Sequence, residues 1–200
     1  MIAVVDYGAG NLSSVVKGLR AVGADVQVSA DTVLLAQASG IVVPGVGNFA
    51  ATRGLPEEMR DTIRRRVEAG TPLFGICLGM QWLFEGSDEA VDVPGLGLLA
   101  GRCTRIRAER PLKVPHVGWN ALEIGRPSPI VAGVGDDAYV YFTHSFAAPV
   151  TPECSAATRH GEAFAAVVQR EHVAGVQFHP EKSGDVGLRI LSNFVAMTRS

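Results

Sequence analysis

The sequence predicts an α/β protein: a mostly parallel sheet with helices on both faces and antiparallel strands added in its second half. Three observations predict it. Short β-branched runs alternate with stretches of helical apolar spacing through the first half. After about Gly95 that alternation gives way to closely spaced strands separated by turns. A last amphipathic stretch then closes the chain. With 200 residues, 47% hydrophobic and 19% charged, the chain suits one domain spanning 1–200 with a sizeable core.

Residues 2–5, 25–29, 41–43 and 73–76 read as the strands of the first half. Between the first two, Leu12, Val15, Val16, Leu19 and Val22 recur on one helical face, and Gly23 supplies the stop. A second stripe, Leu55, Met59, Ile63 and Val67, closes at Gly70. Strand, helix and strand in repetition imply parallel pairing, with ligands bound beyond the carboxyl ends of the strands. In the second half, residues 98–106, 121–124, 138–142, 155–159, 164–169 and 173–178 read as strands. A final helix from about Asp185 carries Leu188, Leu191 and Val195, widened by Ile190, Phe194 and Met197.

Composition excludes several classes. A net charge of −2 argues against nucleic acid as the main ligand, although arginines gather at 60, 64, 65 and 66 and again between Arg102 and Arg110, where they read as solvated faces. Three unpaired cysteines, Cys77, Cys103 and Cys154, suggest neither a disulfide framework nor a zinc site, and a reducing cytoplasm fits them. The chain enters a strand at once with no signal-peptide pattern, and no apolar run approaches the ~18 residues of a membrane span. The turn Asp6-Tyr7-Gly8-Ala9-Gly10-Asn11 begins like a dinucleotide loop, but position 13 is serine and no acidic residue closes the second strand. No phosphate-loop or metal-ligand spacing is present, so no cofactor and no metal are expected.

The segment Gly75-Ile76-Cys77-Leu78-Gly79 carries the most chemistry. It resembles a nucleophile elbow, in which small neighbours let the chain bend sharply and leave the nucleophile exposed at the end of a strand. A helix behind it would favour thiolate over thiol at Cys77. His179 ends the apolar run 173–178 and is followed by Pro180 and Glu181, so it too sits at a strand terminus with a carboxylate two residues on. Extended chain would put His179 and Glu181 on one side. Nucleophile, base and orienting carboxylate are thereby available as Cys77, His179 and Glu181. His116 and His144 are rival bases, or structural hydrogen-bonders. The Leu78 amide and the turn Val43-Pro44-Gly45-Val46-Gly47 could supply oxyanion donors.

With these residues aligned, the chain resembles the class I glutamine amidotransferases and, within them, the glutaminase subunits of imidazole glycerol phosphate synthase. The resemblance is carried in order by Asp6-Tyr-Gly-Ala-Gly-Asn-Leu-Ser13, Pro44-Gly-Val-Gly-Asn-Phe49, Gly75-Ile-Cys-Leu-Gly-Met-Gln81, Pro115-His-Val-Gly-Trp-Asn120, Tyr141-Phe-Thr-His-Ser145 and Gln177-Phe-His-Pro-Glu-Lys-Ser183. It implies a flavodoxin-like amidotransferase fold. It also implies glutamine hydrolysis through a thioester on Cys77, with ammonia passed to a (β/α)8 barrel synthase subunit in a heterodimer of histidine biosynthesis. By the same match, Gly47, Gln81, His144 and Ser145 would hold glutamine, and amides near Val46 and Leu78 would form the oxyanion hole. The Gly45-Val46 peptide would need to reorient when the partner is loaded, leaving the isolated subunit weakly active. Asn11, Trp119, Tyr141 and Lys182 would face the partner and the ammonia gate. The chain departs from the pattern at Phe146, where tyrosine is common, and at Gly184, where serine is. A sister glutaminase would lack the Pro-His-x-Gly-Trp-Asn segment and the lysine after His-Pro-Glu, both of which are here. A stand-alone cysteine hydrolase would turn over glutamine without a partner, and a vestigial interaction subunit would have lost the triad.

Overall fold

The computed structural model describes residues 1–107 and 111–199, so Arg110, the end of the second arginine group, lies outside the described residues. In chain order the regular elements are β1 (Ile2–Val5), α1 (Leu12–Ala21), β2 (Val26–Ser29), α2 (Thr32–Gln37), β3 (Gly40–Val43), α3 (Glu57–Glu68), β4 (Leu73–Ile76) and α4 (Leu78–Leu83). There follow β5 (Gly86–Ser87), β6 (Ala90–Pro94), β7 (Arg102–Arg105), β8 (His116–Ala121), β9 (Glu123–Ile124), β10 (Tyr139–His144) and β11 (Phe146–Ala147). The chain ends with β12 (Cys154–His160), β13 (Glu162–Arg170), β14 (Val173–Val176) and α5 (Gly184–Met197).

Eight strands form the central sheet in the order β2-β1-β3-β4-β14-β13-β12-β9. The first five pair in parallel and the last three antiparallel, as the sequence predicts. Alternation along the strands divides the core. Val4, Val42, Phe74 and Ile76 face α1 and α5, packing with Val15, Leu19, Ile190, Leu191 and Phe194. Ala3, Val5, Ile41, Val43 and Leu73 face the other way, against Leu35 of α2 and Met59, Ile63 and Val67 of α3. Both faces of β1, β3, β4 and β14 are thus buried, which explains why they read as continuous apolar runs.

Four details differ from the sequence reading. Helix α2 is six residues long, too short to show helical periodicity, and starts where the Asp31 carboxylate accepts a bond from the Val33 amide at 2.8 Å. Strand β8 covers a segment not among the expected strands; it pairs with β10 in a two-stranded ribbon outside the main sheet, and the expected strand 121–124 is its end plus β9. The expected strand 98–106 contracts to β7, because Gly101 turns the chain at φ +103 and the residues before it bind the carbonyls of Trp82, Leu83 and Phe84. Leu188, expected on the apolar stripe of the last helix, is 36% exposed, while Ile190 and Phe194 are fully buried.

The arginines do more than solvate a surface. Arg60 donates to the carbonyls of Leu55 and Thr52, both at 2.9 Å, and Arg66 to that of Ala38 at 2.8 Å, tying α3 to its surroundings. Among the described residues no helix is long and apolar enough to cross a membrane.

Candidate active site

The sheet order decides what can meet. Inserting β14 beside β4, with Val176 opposite Ile76, makes two strands that are about a hundred positions apart in sequence end at the same level. Cys77 follows one directly and donates its amide to the Val176 carbonyl at 2.8 Å; His179 follows the other. Cys77 has φ 53 and ψ −106, a conformation that costs a non-glycine residue ~1–3 kcal/mol and persists because its surroundings enforce it. The flanking glycines are what the bend demands. A Cβ on Gly75 would stand 2.6 Å from the Gly79 carbonyl oxygen, and one on Gly79 would collide with the Val43 carbonyl oxygen.

His179 Nδ1 lies 2.9 Å from Glu181 Oε1, and the two side chains are 2% and 1% exposed. The approach is made by a short 3-10 turn, Pro180–Lys182, and not by the extended chain that the two-residue spacing suggested. Nδ1 bound to a carboxylate carries its hydrogen, so Nε2 is the basic atom; it is buried without a hydrogen bond. Burial works against a charge on this ring, but Cys77 and Glu181 outweigh it and push the His179 pKa up to about 9. The Gln177 side-chain amide approaches the Cys77 sulfur at 3.7 Å and accepts from Gln81 at 3.1 Å.

A cavity of about 290 Å³ opens over the cysteine, lined by Val46, Gly47, Cys77, Leu78, Gln81, Glu89, Pro115 and the segment Thr143 to Phe146. Larger hollows, of about 540, 810 and 840 Å³, do not include Cys77 or His179. The glycine turn does not present an amide beside that of Leu78. The Leu78 amide is 3.4 Å from the Gly45 carbonyl, so a carbonyl, not an amide, of the glycine turn faces the place where an oxyanion would form. His144 lines the cavity, yet its ring is occupied: Nδ1 meets the Phe146 carbonyl at 2.9 Å and Nε2 meets His116 Nδ1 at 3.1 Å. His116 Nε2 accepts from Asn120 at 3.2 Å. Both rings are therefore neutral hydrogen-bonders rather than bases. Burial is the main cause that pulls His116 down to about 4 and His144 to about 3.

The family model for Glutamine amidotransferase class-I matches residues 3–197. The chain belongs to the class I glutamine amidotransferases. Within this class its relatives include the imidazole glycerol phosphate synthase subunit HisH of Gloeobacter violaceus, 48% identical over 100% of this chain and 90% of that protein. The HisH subunit of Halobacterium salinarum is 49% identical over 97% and 92%, and that of Geobacillus kaustophilus 46% identical over 98% and 97%. Among solved structures, a glutamine amidotransferase superposes with a TM-score of 0.78 at 22% identity over 100% of both chains. The glutaminase domain of Trypanosoma brucei CTPS gives 0.69 at 18% identity, over 99% of this chain and 93% of that one.

Two features of this amidotransferase lie beside its triad, the first of them outside its motifs. Glu89 stands in the wall of the cavity, its carboxylate accepting from the Phe49 amide at 2.8 Å. It lies between the short strands β5 and β6, and no pattern marks it. The other is a continuous exposed face on the β8-β10 ribbon. Strand alternation turns Val117, Trp119, Tyr139 and Tyr141 outward, with Val117, Trp119 and Tyr139 each more than half exposed. Trp119 and Tyr141 are opposite in register with rings 6.1 Å apart, and Lys182 Nζ stands 5.9 Å from the Tyr141 ring. The Tyr141 carbonyl accepts the His179 amide at 3.0 Å, which joins this face to the histidine. Asn11 is exposed and caps α1 through the Ser14 amide.

Proposed function

We propose that the chain is a single glutaminase domain, the HisH-type subunit of an imidazole glycerol phosphate synthase of the cytoplasm. It hydrolyses glutamine and hands ammonia to a (β/α)8 barrel synthase subunit in a heterodimer of histidine biosynthesis. What carries this reading is the placement of Cys77, on a strained turn at the floor of a small cavity, beside a buried His179–Glu181 pair.

In the reaction, His179 Nε2, whose raised pKa keeps the ring protonated near neutrality, already holds the Cys77 proton when sulfur attacks the glutamine side-chain carbonyl carbon, and passes it to the departing amine. Ammonia leaves and a glutamyl thioester remains. Water then adds, giving its proton to the same nitrogen, and glutamate is released as the thiol re-forms. Glu181 fixes the Nδ1-protonated tautomer and supports the imidazolium in between. Gly47, Gln81 and Ser145 border the substrate, and His144 contributes its backbone and the firmness of its bonded ring. Glu89, the acidic side chain of the lining, is placed to receive the substrate's α-ammonium.

The oxyanion formed on the substrate needs the amides of Leu78 and Val46. With the Gly45 carbonyl at 3.4 Å from the Leu78 amide, the resting site opposes that charge, and turning the Gly45-Val46 peptide would replace an acceptor by a donor. We assign this turn to arrival of the loaded partner, which would dock on the Trp119, Tyr141, Lys182 and Asn11 face. Trapping tests the proposal: acid quench of the loaded complex should reveal a glutamyl adduct on Cys77 by intact mass. Cys77→Ala should lose the adduct and all glutamine hydrolysis while retaining partner binding. Retained glutaminase activity in Cys77→Ala would refute the reading.

A further inference from the structure

The mechanism above uses a peptide that turns, and a peptide can turn cleanly only if one end is held. The held end is visible. Pro44 and Gly45 are buried, whereas Val46 is 40% exposed and Gly47 and Asn48 are exposed with it. Tyr7, from the loop after β1, is 9% exposed and donates its hydroxyl to the Pro44 carbonyl at 2.8 Å. A Cβ on Gly45 would collide with that hydroxyl and stand 2.8 Å from Leu78 Cβ, so the Gly45 α-carbon is wedged between Tyr7 and the residue after the nucleophile. The same loop closes a second side: a Cβ on Gly10 would sit 3.5 Å from the Gly45 nitrogen and 3.6 Å from Pro44 Cβ.

We infer that Tyr7 is a positioning residue for the oxyanion turn: its hydroxyl pins the Pro44 carbonyl so that reorientation is confined to the Gly45-Val46 peptide. The inference rests on the reading in which that peptide must turn for catalysis. Rotation of one peptide plane swaps the Gly45 carbonyl for the Val46 amide only if the Gly45 α-carbon stays in place. If it drifts, the new donor misses the oxyanion by more than the roughly 0.5 Å that such sites tolerate. Proline already fixes one torsion upstream. The Tyr7 hydroxyl fixes the carbonyl that follows it, and the Leu78 side chain blocks retreat on the other side. Burial, aided by the nearby Cys77 charge, holds the phenol above its ordinary range, so it remains a donor at any working pH. The arrangement also places the pin four residues from Asn11, on the loop that the proposed partner contact would touch.

The test is Tyr7→Phe in the full chain, which keeps the ring and removes the pin, measured with and without the barrel subunit carrying its ribonucleotide. The expected result is a fall of about tenfold in the loaded kcat, from loss of one donor–acceptor bond and a misplaced oxyanion amide. KM for glutamine and the affinity for the partner should stay within about twofold, and the free chain's turnover should change far less than the loaded one. Amide exchange at residues 45–47 should quicken. An equal fall in free and loaded turnover would indicate mere loss of folded protein and overturn the inference. So would an unchanged loaded kcat, or a rise in the free chain's activity, which would make the hydroxyl a latch on the resting state. Wild-type chain that turns over equally with and without the partner would instead remove the turning-peptide reading itself, whatever Tyr7 does.

Discussion

Acidification should unfold this protein through two buried histidines that bear no charge. His144 is 7% exposed and His116 4%, and each ring nitrogen has a partner that suits the neutral tautomer. Their pKa values, pulled from 6.5 to about 3 and about 4, mean that between these limits the unfolded chain binds protons that the folded chain refuses. Stability is therefore whole above about pH 6.5 and is lost as pH falls toward 4. At pH 5 the unfolded His144 is protonated about 1.5 pH units below its ordinary pKa while the folded ring is not, a loss of about 2 kcal/mol. His116 stacks on the partly exposed His160, with centroids 4.1 Å apart, so solvent screening leaves it about 1 kcal/mol. His179 acts in the other direction: its raised pKa adds stability that is full below 6.5 and fades toward 9, so it cannot cause an acid decline. The assay is urea unfolding followed by tryptophan fluorescence at pH 7.5, 6 and 5. The two neutral rings lose about 3 kcal/mol between the first and last while His179 gains about 1 kcal/mol, so the expected net loss is about 1–2 kcal/mol, and His116→Gln should make the decline shallower. A midpoint that holds steady or rises from pH 7 to 5 would refute the neutral, fully bonded pair.

Three further outcomes follow from the site. Glu89→Gln should raise the KM for glutamine roughly tenfold or more with kcat little changed, since a bond to a charged group contributes ~1.5–3 kcal/mol; steady-state kinetics on the loaded complex would show it. Gly79→Ala forces a methyl against the Val43 carbonyl, so thermal unfolding should report a loss of ~1–3 kcal/mol and glutaminase turnover should vanish well before folding does. Trp119→Ala, at a side chain 55% exposed, should leave stability untouched but weaken partner binding by about thirtyfold in calorimetric titration, the effect of a ~2 kcal/mol interface anchor.

Much of the site was legible because it is written in local chemistry. The glycines at 75 and 79 announce a bend that the structure shows to be sterically compulsory, and His179 with Glu181 follows an unmistakable apolar strand. Their meeting was not legible from spacing, since it depends on β14 entering the sheet beside β4, a pairing that only the whole packed core decides. The antiparallel half was read less well. Gly118, at φ +133, sits inside a real strand, because β8 belongs to a ribbon that tolerates the kink on its way out of the sheet. Glu89 carries no motif and Tyr7 lies in one without showing its role, and each matters through a contact with a backbone group about forty residues away. The need for the Gly45-Val46 peptide to turn came only through the family resemblance, for a peptide's orientation leaves no mark in the residues that bear it.

The central claim is that a competent triad waits on a partner to complete its oxyanion hole. Glutamate release from glutamine by the purified chain, alone and with a barrel synthase subunit carrying its ribonucleotide, tests it most directly. The account predicts slow release alone and a large rise in the loaded mixture. Equal release in both would contradict it and point to a stand-alone amidohydrolase.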